Sequence, residues 1–293
     1  MRRSVGVGFA AFCLLAGSTW LLEGYFAPSW PDLFRICFHD SVVCLALVGV
    51  GLARKERLPG RGLWEAAGWS AVLFVLPAVV SAAAGASVGS LAGLLVFGLV
   101  PFLTVFFVAQ RDSGDLRLLA PAVVALGGMA LVVPFAWRGS VGGTIWLLGM
   151  VVAVGVVAFA GIRMRSLMQD LPVVWVAAAG SGAAALVAGV AWIVMERGPL
   201  DWSLRVVGAE VGWGLAMDGP LVLLTVWLLR EMQPVGFSAR FCLVPLVTIV
   251  GGLVVMRPEV VWTTWVGLGL VVGGSWVLLS KDTSGESPTI TSI

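Results

Sequence analysis

The sequence predicts an all-α integral membrane protein whose ten transmembrane helices form two inverted five-helix repeats. Three observations carry this reading. Of 293 residues, 59% are hydrophobic and only 12% charged, whereas a soluble domain carries about 25% charged residues. The apolar runs are long and unbroken, where the strands of a membrane barrel would alternate apolar with polar residues. Finally, the chain repeats itself. Leu99-Val100-Pro101-Phe102-Leu103-Thr104 and Leu243-Val244-Pro245-Leu246-Val247-Thr248 both read Leu-Val-Pro-x-x-Thr at an offset of 144 residues, and Gly68-Trp69 returns as Gly212-Trp213 in the same register.

A span needs roughly 20 apolar residues. Ten fit: 5–25, 31–52, 64–85, 87–109, 116–137, 142–163, 172–195, 205–229, 235–256 and 260–280. Arg2-Arg3 ahead of the first run imitates a secretory signal, but the many spans behind it make it a first membrane helix. Pro28-Ser29-Trp30-Pro31 and Gly139-Ser140-Val141-Gly142-Gly143 mark joints, and helices three and four almost merge near Gly85. Residues 281–293 are polar and rich in Ser and Thr, as a disordered tail is. With the N-terminus inside, inner segments hold twelve Arg and Lys and outer ones four. That bias puts both termini in the cytoplasm of a cell with the protein in its inner membrane. Residues 1–138 and 139–280 then hold five spans each. An odd number forces the second copy to enter the membrane upside down, an architecture used by secondary transporters with a substrate site near the midplane.

Several function classes are excluded. A net charge of +2 with no basic arm gives no footprint for nucleic acid. Cys13, Cys37, Cys44 and Cys242 lie in apolar runs without metal-ligand spacing, so they read as packing residues. No Walker A run or soluble domain supports an ATP-driven pump, and no filter-like loop supports a channel. His39-Asp40 beside Ser41 imitates a catalytic set, but neighbours on one helix point apart. The partners expected are a small-molecule substrate and the lipid bilayer, with no cofactor. A membrane scaffold without turnover is the alternative class, and a polar cavity at mid-depth would separate the two.

Ionisable side chains inside a span are costly and therefore functional candidates. The second span holds Arg35, His39 and Asp40. His39, the one histidine, lies roughly 13 Å deep at 1.5 Å per residue, and its ring can exchange a proton near neutral pH. Asp40 can hold that proton or pair with Arg35. In the eighth span Glu210, Gly214 and Asp218 recur every four residues and share a stripe. Asp218 falls near the midplane, followed by Gly219-Pro220, where proline removes a donor and kinks a helix. Arg240 starts close to the cytoplasmic end, from which its long side chain can snorkel; a substrate role is its other reading. Glu23 sits near outer water.

Among the 14 tryptophans, Trp30, Trp64, Trp137, Trp146, Trp202 and Trp262 fall near span ends, as an interfacial belt does. Trp20, Trp69 and Trp213 are the pocket candidates, suited to a cationic amine through cation–π attraction. Pro101 and Pro245 shape helices four and nine, and Thr104 and Thr248 either face the cavity or bond their own helices. Gly85-x-x-x-Gly89-x-x-x-Gly93 and Gly269-x-x-x-Gly273 are ridges for close helix contact or for a homodimer.

Gly17-Ser18-Thr19 in helix one, the prolines within helices four and nine, and Arg257-Pro258-Glu259 followed by Trp265-Val266-Gly267 and Gly273-Gly274 resemble the drug/metabolite transporter superfamily, EamA-type. Where that family opens helix one with Trp-Gly-Ser, Ala16 stands for the Trp and Trp20 follows. The arginine many members carry in helix two falls near His39, with Arg35 one turn earlier. The resemblance implies a small-metabolite carrier, an exporter of amino acids or related amphipathic amines working by alternating access.

Overall fold

The computed structural model describes residues 3–23, 30–60, 62–88, 90–112, 116–133, 141–196, 198–257 and 261–282. Among them the chain is all-helical, with no strand. The helices are α1 (Arg3–Glu23), α2 (Asp32–Ala53), α3 (Gly62–Val88), α4 (Ser90–Phe97), α5 (Val100–Asp112), α6 (Leu119–Val132), α7 (Val141–Leu167), α8 (Val173–Met195), α9 (Leu204–Trp213), α10 (Gly219–Glu231), α11 (Pro234–Ser238), α12 (Arg240–Met256) and α13 (Trp262–Asp282). A single 3₁₀ turn, Leu116–Leu118, leads into α6, and a π turn, Gly214–Asp218, joins α9 to α10. Seven stretches are long and apolar enough to cross a membrane, and three shorter apolar helices accompany them. Large apolar side chains such as Leu45, Val152, Leu186, Val194 and Trp276 point outward. An outer surface of this kind belongs to a multi-pass membrane protein.

The apolar runs are interrupted where backbone chemistry interrupts them. The fourth run is not one helix: it breaks at Gly98-Leu99, and Pro101, which can sit in a first turn but not in a helix interior, starts α5. The ninth run begins with the short α11, steps at Ala239, and continues through Pro245 inside α12. Residues 283–293 of the expected tail, together with Trp137 and Gly89, lie outside the described residues.

Helix α2 packs along α8, α3 along α7 and α8, α6 along α13, and α1 along α12 and α10. Small residues make these approaches close. A Cβ on Gly128 would stand 2.6 Å from the Gly267 carbonyl oxygen and 2.7 Å from the Val271 nitrogen, and one on Gly274 would stand 2.5 Å from the Pro121 oxygen. The contact face of α13 is therefore Gly267 and Gly274, seven residues apart, or two turns. Gly269 and Gly273 face open space instead, so that ridge is not what holds α13 in the bundle.

Both ends of the bundle are fastened by polar contacts. At one end the Trp30 indole donates to the Asp201 carbonyl oxygen at 2.8 Å, and the Leu33 N–H donates to Glu196 Oε2 at 2.7 Å. Trp30 is buried there among Phe34, Phe38 and Trp202, so it is a packing residue rather than part of an interfacial belt. Trp64, Trp146, Trp202 and Trp262 are exposed. At the other end Arg163 pairs with Glu65 at 2.6 Å. In the middle, Phe97 stacks on Phe241 with centroids 6.5 Å apart, and Cys242 Sγ lies 3.9 Å from the Gly98 oxygen, a residue 144 positions away.

Candidate functional site

The site begins with the backbone of the eighth run. Proline at 220 carries no N–H, so the helix cannot continue its ordinary ladder through this point. The Gly219 N–H instead reaches back five residues to the Gly214 oxygen, which makes 214–218 a π turn. Such a turn inserts one extra residue into an α-helix and is frequent at functional sites. Gly214 permits a close approach: a Cβ there would meet His39 Cα at 3.4 Å. The helix thus lies flat against the His39 ring.

The Glu210–Gly214–Asp218 stripe meets that ring from both sides. His39 Nε2 is 2.8 Å from Glu210 Oε2, and His39 Nδ1 is 2.7 Å from Asp218 Oδ2. The His39 side chain is 8% exposed, Glu210 13% and Asp218 30%, so the far carboxylate is the accessible one. Two short contacts between an imidazole and two carboxyl groups require two protons among the three groups. Either an imidazolium donates to two carboxylates, or a neutral ring donates to one and accepts from a protonated other. Asp40 is buried next to His39, with Asp218 and Ser181 of α8 as its polar neighbours. Arg35 lies 3.2 Å from Asp32, one turn back on its own helix.

His39, Asp40 and Asp218 line a cavity of about 620 Å³ between α1, α2, α3, α4, α10 and α12. Its walls are mainly apolar, from Leu73, Phe74, Leu221 and Val222, with Pro77 of α3 and Pro245 of α12 at bends. The volume and the few convergent polar groups are those of a small-molecule site. Pro77 had no signal beyond being a proline within an apolar run.

Arg240 also lines this cavity. Only 7% of it is exposed, so it does not snorkel to the surface as its place near a span end suggested. The guanidinium carbon lies 4.1 Å from the ring centroid of Phe237, 4.8 Å from Phe241 and 5.6 Å from Phe12. Those are cation–π distances. The signal in the sequence was Phe237 and Phe241 flanking an arginine at three residues and one residue.

The remaining candidates lie elsewhere. Trp69 packs edge-on against Phe159 of α7, centroids 5.5 Å apart, and Trp213 is half-buried before the π turn. Neither lines the cavity. The Trp20 side chain is outside the described residues. Thr104 is buried beside Ser238 and Arg240 in a crevice of about 10 Å³. Thr248 Oγ1 is 3.0 Å from the Gly17 oxygen and 3.3 Å from the Val244 oxygen, tying α12 to α1 and to itself. Pro101 is buried at the start of α5 and Pro220 opens α10.

No protein-family model matches the chain, and no curated protein matches it. Solved structures do: 29 chains match it. One, described only as "Crystal structure of protein", superimposes with a TM-score of 0.75 over 96% of this chain and 99% of its own, at 18% identity.

Proposed function

We propose that the chain is a ten-span secondary transporter of small metabolites, built as an inverted repeat of five spans, with both termini cytoplasmic. It exports amino acids or related amphipathic amines by alternating access, with a proton as the coupling ion. The carrying observation is the cavity of about 620 Å³ with His39, Asp40 and Asp218 in its wall. A scaffold needs a solid interior, and a carrier needs this void.

The packing supports the repeat. Number the runs one to ten and exchange n with n+5. The α2–α8 and α6–α13 pairs map onto themselves, α3–α8 maps onto α2 with α9 and the π turn, α3–α7 onto α1–α10, and α1–α12 onto α7 with α4 and α5. Each of these contacts has its mate. Phe97 with Phe241 and Gly98 with Cys242 touch at the repeat offset itself, as mates beside a pseudo-two-fold axis do. The charges break the symmetry. Phe74 occupies the position equivalent to Asp218, Ala183 that of His39 and Val96 that of Arg240.

The triad supplies a coupling device. Loss of one of its two protons leaves a ring nitrogen facing a carboxylate with no hydrogen between them, so one contact opens. Proton release therefore loosens α2 from the π turn, beside the cavity. Reconstitution into proteoliposomes tests the reading: flux of labelled amino acids or amines should follow an imposed pH gradient. Solute-independent, gradient-insensitive leakage, or no flux of any of these solutes, would remove it.

A further inference from the structure

Arg240 is charged, buried and faces the cavity, and among the described residues it has no carboxylate partner. The contrast within the molecule is direct. Arg35 pairs with Asp32, Arg163 with Glu65 and Arg54 with Glu56. Among the described residues no carboxylate stands within ion-pair distance of Arg240, and no hydrogen-bond acceptor meets it. Its titratable neighbour is the Cys13 thiol. What surrounds it is the cage of Phe12, Phe237 and Phe241. Aromatic faces attract a guanidinium but offer it no lone pairs in its plane, so the rings leave its N–H donors unsatisfied. Buried charges are ordinarily paired, because desolvating one alone is expensive. A buried, caged and unpaired arginine at the wall of a void is a subsite completed by a ligand anion.

The opposite charges in the same cavity decide which anion. Asp40 and Asp218 line it with Glu210 behind them, and Arg35, which lines it too, is paired with Asp32, so a multiply charged anion would be repelled by the acidic wall. A single carboxylate is planar and matches the guanidinium fork with two parallel hydrogen bonds. Leu73, Phe74 and Leu221 give the same cavity an apolar wall. We propose that Arg240 is the specificity residue of this carrier. It binds the carboxylate of a zwitterionic substrate whose ammonium group faces Asp218 and Asp40 and whose apolar side chain rests on that apolar wall. This deepens the transporter reading and rests on it for the word substrate; the subsite itself is a binding claim. Amines without a carboxylate leave the arginine unpaired and are rejected.

The experiment is equilibrium binding to the purified full-length protein in detergent, by isothermal titration calorimetry, with no gradient and no flux. The probes are L-leucine, isopentylamine, which lacks the carboxylate, 4-methylpentanoate, which lacks the amine, and inorganic phosphate. Wild type should bind leucine on the order of 10–100-fold more tightly than isopentylamine, the range expected for charge-assisted hydrogen bonds. Arg240→Gln should reduce that ratio to near one, and Arg240→Lys, which keeps the charge without the fork, should fall between. The lysine variant serves alone if the glutamine variant does not fold. A ratio unchanged in the variant, a wild type that prefers isopentylamine, or one that binds no carboxylate probe overturns the assignment. So does phosphate that displaces leucine from the wild type. Failure of transport with this binding pattern intact would sink the carrier reading and leave the subsite standing.

Discussion

At the scale of single residues, His39 decides what the site can do. An imidazole held at 2.8 and 2.7 Å by two carboxyl groups joins α2 to the eighth run through protons rather than through fixed charge. Asp218→Asn keeps the shape and both hydrogen-bonding roles of the side chain but removes its charge. Gradient-driven flux should fall by on the order of tenfold or more, while thermal unfolding in detergent stays near that of the parent. Full flux in proteoliposomes would take Asp218 out of the mechanism. His39→Ala removes the ring that bridges the two carboxyl groups and can exchange a proton, with Glu210, Asp218 and Asp40 left facing its space. Its flux should lose its dependence on pH, and an unchanged profile would count against proton coupling. These residues were legible because charge inside an apolar run has few structural uses. Arg240 was not. Distance to a span end governs snorkelling only if the side chain points outward, and the Phe237 and Phe241 rings that hold it inward are a tertiary fact.

At the scale of elements, the long apolar runs were readable and their interruptions were not. A span of 205–229 is correct as a length, yet its chemistry depends on the π turn at 214–218, which hydrophobicity does not encode. Pro220 signalled a kink; the fold answers with one extra residue in the turn, so that Glu210 and Asp218 reach the same ring. Deleting Ala216, an outward-facing member of the turn, removes the extra residue and shifts Glu210 out of register with Asp218, while Pro220 keeps the helix bent. The shortened protein should fold, by gel filtration and thermal unfolding, and lose flux, because one His39 contact goes. Glycine contacts can be tested the same way. Gly128→Ala drives a methyl into the backbone of α13 and should cost about 1–3 kcal/mol, read as a lowered unfolding temperature. Gly127→Ala, which meets nothing within 4 Å, should leave that temperature in place.

At the scale of the whole molecule, the proposed repeat would have the two halves share a scaffold and divide its chemistry. A twofold-related frame would give two equivalent ways for the halves to lean, which alternating access needs; the charges on one side would then give the frame its preferred proton and substrate. The all-helical, membrane-type architecture was legible because long unbroken apolar runs can satisfy their backbone in a bilayer only as helices. The site was only partly visible because it lies where the halves differ. The axis contact is the place to test the motion. Phe97 and Phe241 stack there and line the cavity with Arg240, so halves that part at this point must separate these rings. In a variant with all four native cysteines replaced, Phe97→Cys with Phe241→Cys should be bridged by a short bifunctional thiosulfonate. The bridge should stop flux, and a reductant should restore it. Undiminished flux with the bridge shown by mass spectrometry to be complete would mean that the halves do not part here, and rocking about this axis would fall.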